Sequence, residues 1–221
     1  MKNKVLSAFN KSASKLSKNG FVQAAVIVLI LISCIISTAA FSTNCKEVRD
    51  NVLRLHILAN SDSEEDQALK LKIRDKLLTE GADIFAGAED ADSAAEKIAA
   101  AAERLETLAE DTAREMGYNY DVKVELTEEY FDTRSYEDKT LPAGKYSAVK
   151  VIIGSGEGKN WWCVMFPPLC LPAAEEHDDK DVKIDAILTS GGARLIEKNP
   201  KFEVRFKIVE IYEKIKSYFN D

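Results

Sequence analysis

The sequence predicts an α+β fold, a small antiparallel sheet covered by helices and preceded by an N-terminal signal or transmembrane segment. Three observations carry this. Val122, Val124 and Leu126 alternate with Lys123, Glu125 and Thr127, as in a half-exposed strand, and Val52–Leu58 (VLRLHIL) reads as a short buried one. Two stretches, 63–80 and 92–116, have helical apolar spacing behind Ser or Asp caps and end at Gly81 and Gly117. Residues 21–40 contain no charge at all.

Composition bounds the rest. With 221 residues, 46% hydrophobic and 30% charged, the chain can bury one sizeable core and is not low in complexity. The net charge of −7 is unevenly placed: residues 1–20 hold five lysines and no acid. The remainder holds 25 basic against 37 acidic groups, a net of −12. So acidic a globule is repelled by nucleic acid, and no nucleic-acid partner is expected.

About twenty uncharged residues match the hydrocarbon thickness of a bilayer, and the lysines ahead of them should stay in the cytoplasm. The chain therefore divides into a basic region 1–20, an apolar signal peptide or signal anchor 21–40, and a single extracytoplasmic domain 41–221. Thr38 and Ala40 place small residues for cleavage after Ala40. These small residues favour cleavage, while the length of the apolar stretch keeps an uncleaved anchor, with membrane attachment through 21–40, as the alternative.

In the first helix, Leu69/Ile73/Leu77 and Leu71/Leu78 form two apolar stripes, which suggests a helix between layers or a second face kept for a partner. The second helix carries Ile98, Ala102, Leu105, Ala109 and Met116 along one face. Tyr146–Ile153 and Trp161–Phe166 read as strands of a hairpin joined by the glycine-rich GSGEGKN. A short helix over Val182–Leu188 should stop before Gly191-Gly192, and Val204–Phe219 forms a last amphipathic helix. Cys163 and Cys170 flank a Pro-Pro turn and are disulfide candidates outside the cytoplasm; two buried thiols fit the spacing as well. Cys45 has no evident mate.

Nucleophile-elbow, zinc-helix and phosphate-loop motifs are missing from the sequence, so no catalytic residue, metal or cofactor is expected. His56 with Asp62, Glu64 or Asp66 has no recognised ligand spacing, which favours an imidazole held by backbone groups. The enzymatic alternative is an exported envelope hydrolase using His56 and a carboxylate. Trp161 and Trp162 point to opposite faces of their strand: either one lies in the core and one at a contact surface, or both are buried.

RLHILANSDSEEDQALKLKIRDKLL (residues 54–78) and LPAGKYSAVKVIIGSGEGKNWWCVMFPPLC (residues 141–170) together resemble the stage II sporulation protein R family of endospore-forming bacteria. Val204–Lys216 is similar to the way that family ends. The resemblance implies a signal and not a catalyst, made in the forespore and exported into the space between the septal membranes. Its partner there would be a membrane-embedded aspartic protease of the mother cell, which processes the pro-form of the early mother-cell sigma factor. On that footing, Asn60, Asp62, Asp66, Lys70, Arg74 and an exposed Trp161 or Trp162 are the expected contact residues.

Overall fold

Six residues, Leu53–Leu58, form strand β1, and all but the last are buried. Buried on both faces, β1 belongs in the middle of a sheet. The computed structural model describes residues 18–84, 87–136, 139–167, 187–197, 206, 210 and 211. Among them run five helices and six strands: α1 (Lys18–Asp50), β1, α2 (Glu64–Ile84), α3 (Ala91–Ala100), α4 (Ala102–Glu115), β2 (Val122–Phe131), β3 (Arg134–Tyr136), β4 (Lys139–Leu141), β5 (Gly144–Ile153), β6 (Asn160–Phe166) and α5 (Ser190–Ile196). Two compact units meet between Thr43 and Asn44.

The first unit is helical. From Gly20 onward α1 is long and apolar enough to cross a membrane, and its large side chains, such as Phe21 and Ile35, are exposed. This extends the expected 21–40 segment, because the helix continues through Ala40 to Asp50.

In the second unit the four-stranded sheet has the order β2-β5-β1-β6. The α+β class holds, but the sheet is mixed. β1 runs parallel to β5, in register Leu55↔Val149, and antiparallel to β6, in register Leu55↔Cys163. The expected β5–β6 hairpin is therefore absent, with β1 lying between those strands. Crossing two strand spacings takes about 10 Å, within reach of the six residues 154–159. That loop wraps the end of β1, and the Gly158 amide donates to the Ala59 carbonyl at 2.8 Å.

One sheet face carries Leu53, Leu55, Ile57, Val122, Val124, Val149, Val151 and Cys163, packed with Leu69, Ile73 and Leu77 of α2, Ile98 of α3 and Leu105 of α4. α2 runs past Gly81 to Ile84. Its second stripe divides: Leu78 joins the core, whereas Leu71 is exposed. The single helix expected over 92–116 is broken at Ala101 into α3 and α4. Its cap is Asp90, ahead of the expected start at 92, in a reciprocal pair of bonds with Ser93. Met116 and Leu126, expected on buried faces, are exposed at the end of α4 and on edge strand β2. Gly191 and Gly192 lie inside α5, which is capped by Thr189, and a Cβ on either would press on the side-chain ends of Asn44 and Glu47. Residues 182–186 and Cys170 fall outside the described residues, as does the C-terminal helix apart from Phe206, Glu210 and Ile211.

Candidate functional site

The turn Asn60–Ser63 joins β1 to α2, and its side chains bind the chain to itself. Ser63 Oγ accepts from the Asp66 amide at 3.1 Å and caps the helix. Asp66 is buried, and its Oδ2 accepts from Asn60 Nδ2 at 2.9 Å and from Ser61 Oγ at 2.5 Å. Burial pushes its carboxyl pKa up, but the bonds from Ser61, Asn60 and Tyr120 outweigh this and hold it below the usual carboxylate value. Asn60 Oδ1 accepts from the Ser155 amide at 3.0 Å, and Asp62 Oδ1 from the Lys159 amide at 2.7 Å. Lys70 donates to Gln67 Oε1 at 2.6 Å and to the Lys159 carbonyl at 2.8 Å. Burial lowers its pKa, with Asp62 opposing. This knot binds the start of α2 to the crossover loop.

Two of the expected contact residues are thus interior. Asp66 and Lys70 are 4% and 3% exposed and engaged by the fold, so they present no surface to a partner. Asp62 is exposed and Arg74 half-buried. The Arg74 guanidinium carbon lies 4.5 Å from the centroid of the Trp161 ring and its Nε donates to Asp75. The Trp161 indole N–H has no acceptor among the described residues. Arg74 is thus ion-paired with Asp75 and stacked on Trp161, and Leu71, one turn earlier on the same helix, is exposed.

Both tryptophans are half-buried, one on each face of the sheet. Trp162 stacks on His56 on the face away from α2, α3 and α4, ring centroids 3.7 Å apart. His56 is held by side chains and not by backbone. Glu129 Oε2 lies 2.6 Å from Nδ1 and Asn160 Oδ1 2.7 Å from Nε2. The other Glu129 oxygen pairs with Lys150 at 2.8 Å. A general base needs a ring nitrogen within reach of substrate. Both nitrogens of His56 are occupied beneath Trp162, which weighs against the hydrolase alternative.

Two residues earlier in β1, Arg54 is wholly buried. Its Nε donates to the Cys163 carbonyl at 2.9 Å and its Nη2 to the Tyr136 hydroxyl at 2.6 Å. The guanidinium carbon stands 4.2, 5.0 and 5.5 Å from the ring centroids of Phe131, Tyr146 and Tyr136. Burial lowers its pKa, with Tyr136 and Tyr146 opposing. Nη1 has no partner. Sequence reasoning missed this cluster because Phe131, Tyr136 and Tyr146 come from three separate strands; the only local signal was an arginine alternating with histidine in a buried strand.

Cys163 is disulfide-bonded, Cys45 is a buried thiol and Cys34 is exposed. Among the described residues no group of three or more His, Cys, Asp or Glu is placed to hold a metal ion.

Fold and site define an α+β domain carried behind an apolar helix of membrane-crossing length, a signal sequence or membrane anchor. Residues 49–176 match the family model of stage II sporulation protein R, and the chain belongs to that family. It is 36% identical over 140 residues to stage II sporulation protein R of Bacillus subtilis (strain 168), covering 61% of this chain and 62% of that relative's length. No solved structure matches it.

Proposed function

We propose that the chain is the exported signal of sporulation, made in the forespore and acting in the space between the two septal membranes. There it activates a membrane-embedded aspartic protease of the mother cell, which then processes the early mother-cell sigma factor; the chain itself is not an enzyme. The observation that carries this reading is a family-matched domain standing directly behind an apolar, lysine-led helix. Activation requires a ligand that prefers the active state of the protease. The patch of Arg74, Trp161 and Leu71, with Asp62 at its edge and Trp162 on the opposite face as a second candidate, supplies the contact. A disulfide between Cys163 and Cys170 secures β6 after export.

The test adds purified residues 41–221 to vesicles bearing the protease and follows removal of the pro-sequence. Arg74→Glu should lower processing at least tenfold while the domain stays folded by circular dichroism; wild-type processing would remove this patch. Lys70→Glu cannot serve here, because reversing a buried charge breaks the turn as well.

A further inference from the structure

We propose that Arg54 is the receptor for a carboxylate, bound in the cage formed by Phe131, Tyr136 and Tyr146. The chemistry follows from what the cage leaves unfilled. Arg54 is 0% exposed, its Nη1–H groups have no acceptor, and no carboxylate neutralises it among the described residues. The Tyr136 hydroxyl accepts from Nη2, which leaves its own proton to give. Every open position is a donor, and the charge is positive, so the missing group is an anionic acceptor. A carboxylate matches the Nη1/Nη2 fork in plane and spacing, whereas a phosphate dianion would call for more donors than one guanidinium and one phenol.

Access is set by the walls. Phe131 and Tyr146 are buried, and the Tyr146 hydroxyl is committed to the Pro142 carbonyl at 2.5 Å. Tyr136 is only half-buried and forms the side of the cage that meets solvent. A carboxylate arriving there takes the Tyr136 proton in a hydrogen bond as it reaches Nη1. Rings on three sides make the buried charge tolerable, and the Tyr136 hydroxyl fills one position on Nη2, which leaves Nη1 without an acceptor among the described residues. This goes beyond the signalling role and stands without it. The carboxylate can be a free small acid or an acidic side chain on another protein.

The experiment follows thermal unfolding of the full chain in detergent micelles, with sodium acetate or a capped tetraglutamate peptide against sodium chloride at equal ionic strength. Saturating probe should raise the wild-type midpoint by about 3 °C or more and leave Arg54→Met unmoved. A shift with acetate identifies a free acid as sufficient; a shift with tetraglutamate alone identifies a carboxylate carried on a chain. If neither probe moves the wild type, or both move Arg54→Met equally, the site does not exist. Should Arg54→Met fail to fold, Tyr136→Phe decides: loss of the phenol donor should weaken the probe's Kd about tenfold, and an unchanged Kd overturns the proposal.

Discussion

Asp66 shows how a single residue ties stability to pH. Its folded carboxyl is held below the unfolded value, near 3.9, by hydrogen bonds to its charged form. The stabilisation is therefore present above the unfolded pKa and lost as pH falls through the folded pKa. Asp66→Asn keeps the shape but not the charge, and should cost about 2 kcal/mol at pH 7. Urea unfolding at pH 7 and at progressively lower pH should show the gap between variant and wild type shrinking below about pH 4. A gap independent of pH would mean that the neutral acid serves as well. Sequence placed Asp66 and Lys70 correctly in the first turns of a capped helix. It could not tell that both turn inward, because Lys70 meets the Lys159 carbonyl, 89 residues on, and Asp66 meets the folded turn Asn60-Ser61 together with distant Tyr120. Local spacing carries caps and periodicity; it does not carry which distant backbone a side chain meets.

At the scale of elements, the crossover loop decides the topology. A glycine-rich stretch between two strands reads as a tight turn, and sequence has no means of showing that a third strand fits between them. The glycines do mark where backbones approach. A Cβ on Gly158 would stand 2.2 Å from the Ser61 carbonyl oxygen and 2.9 Å from Ala59 Cβ. Neither neighbour is a flexible side-chain tip, so Gly158→Ala must push the loop off the end of β1 and lose the bond to Ala59. The expected cost is about 2–3 kcal/mol, seen as a lower denaturation midpoint at unchanged slope. Gly117→Ala offers the comparison: no atom lies within 4 Å of a Cβ there, and only its positive φ of 86° opposes the substitution. The helices were more legible than the strand order, since caps and apolar stripes lie within one segment. Even so, Ala101 gave no sign of a break, as alanine is the best helix former.

For the molecule as a whole, the question is where the folded unit begins relative to the export segment. The compact unit starts at Asn44, four residues past the cleavage candidate Ala40, and the last turns of α1 belong to it. Cys45 and Val48 are 1% and 0% exposed, Glu47 accepts from the Thr189 hydroxyl at 2.8 Å, and Arg49 donates to the Ala143 carbonyl at 3.3 Å. Cleavage after Ala40 would leave every one of these contacts in place, so residues 41–221 should unfold cooperatively with the stability of the uncleaved domain. Starting at residue 51 instead would remove the buried side chains of Cys45 and Val48 and the ties to Thr189 and Ala143. Burial of Val48 and Cys45 contributes about 3 kcal/mol, and the hydrogen bonds about 1 kcal/mol each. Against a total of about 5–15 kcal/mol for a domain, the loss is large. Residues 51–221 should therefore show a midpoint lower by about 10 °C or more and bind a hydrophobic dye at ambient temperature, although the family-matched region is almost untouched. Equal midpoints for the two truncations would place the end of α1 outside the cooperative unit. A signal cut ten residues too late would then be harmless to the fold.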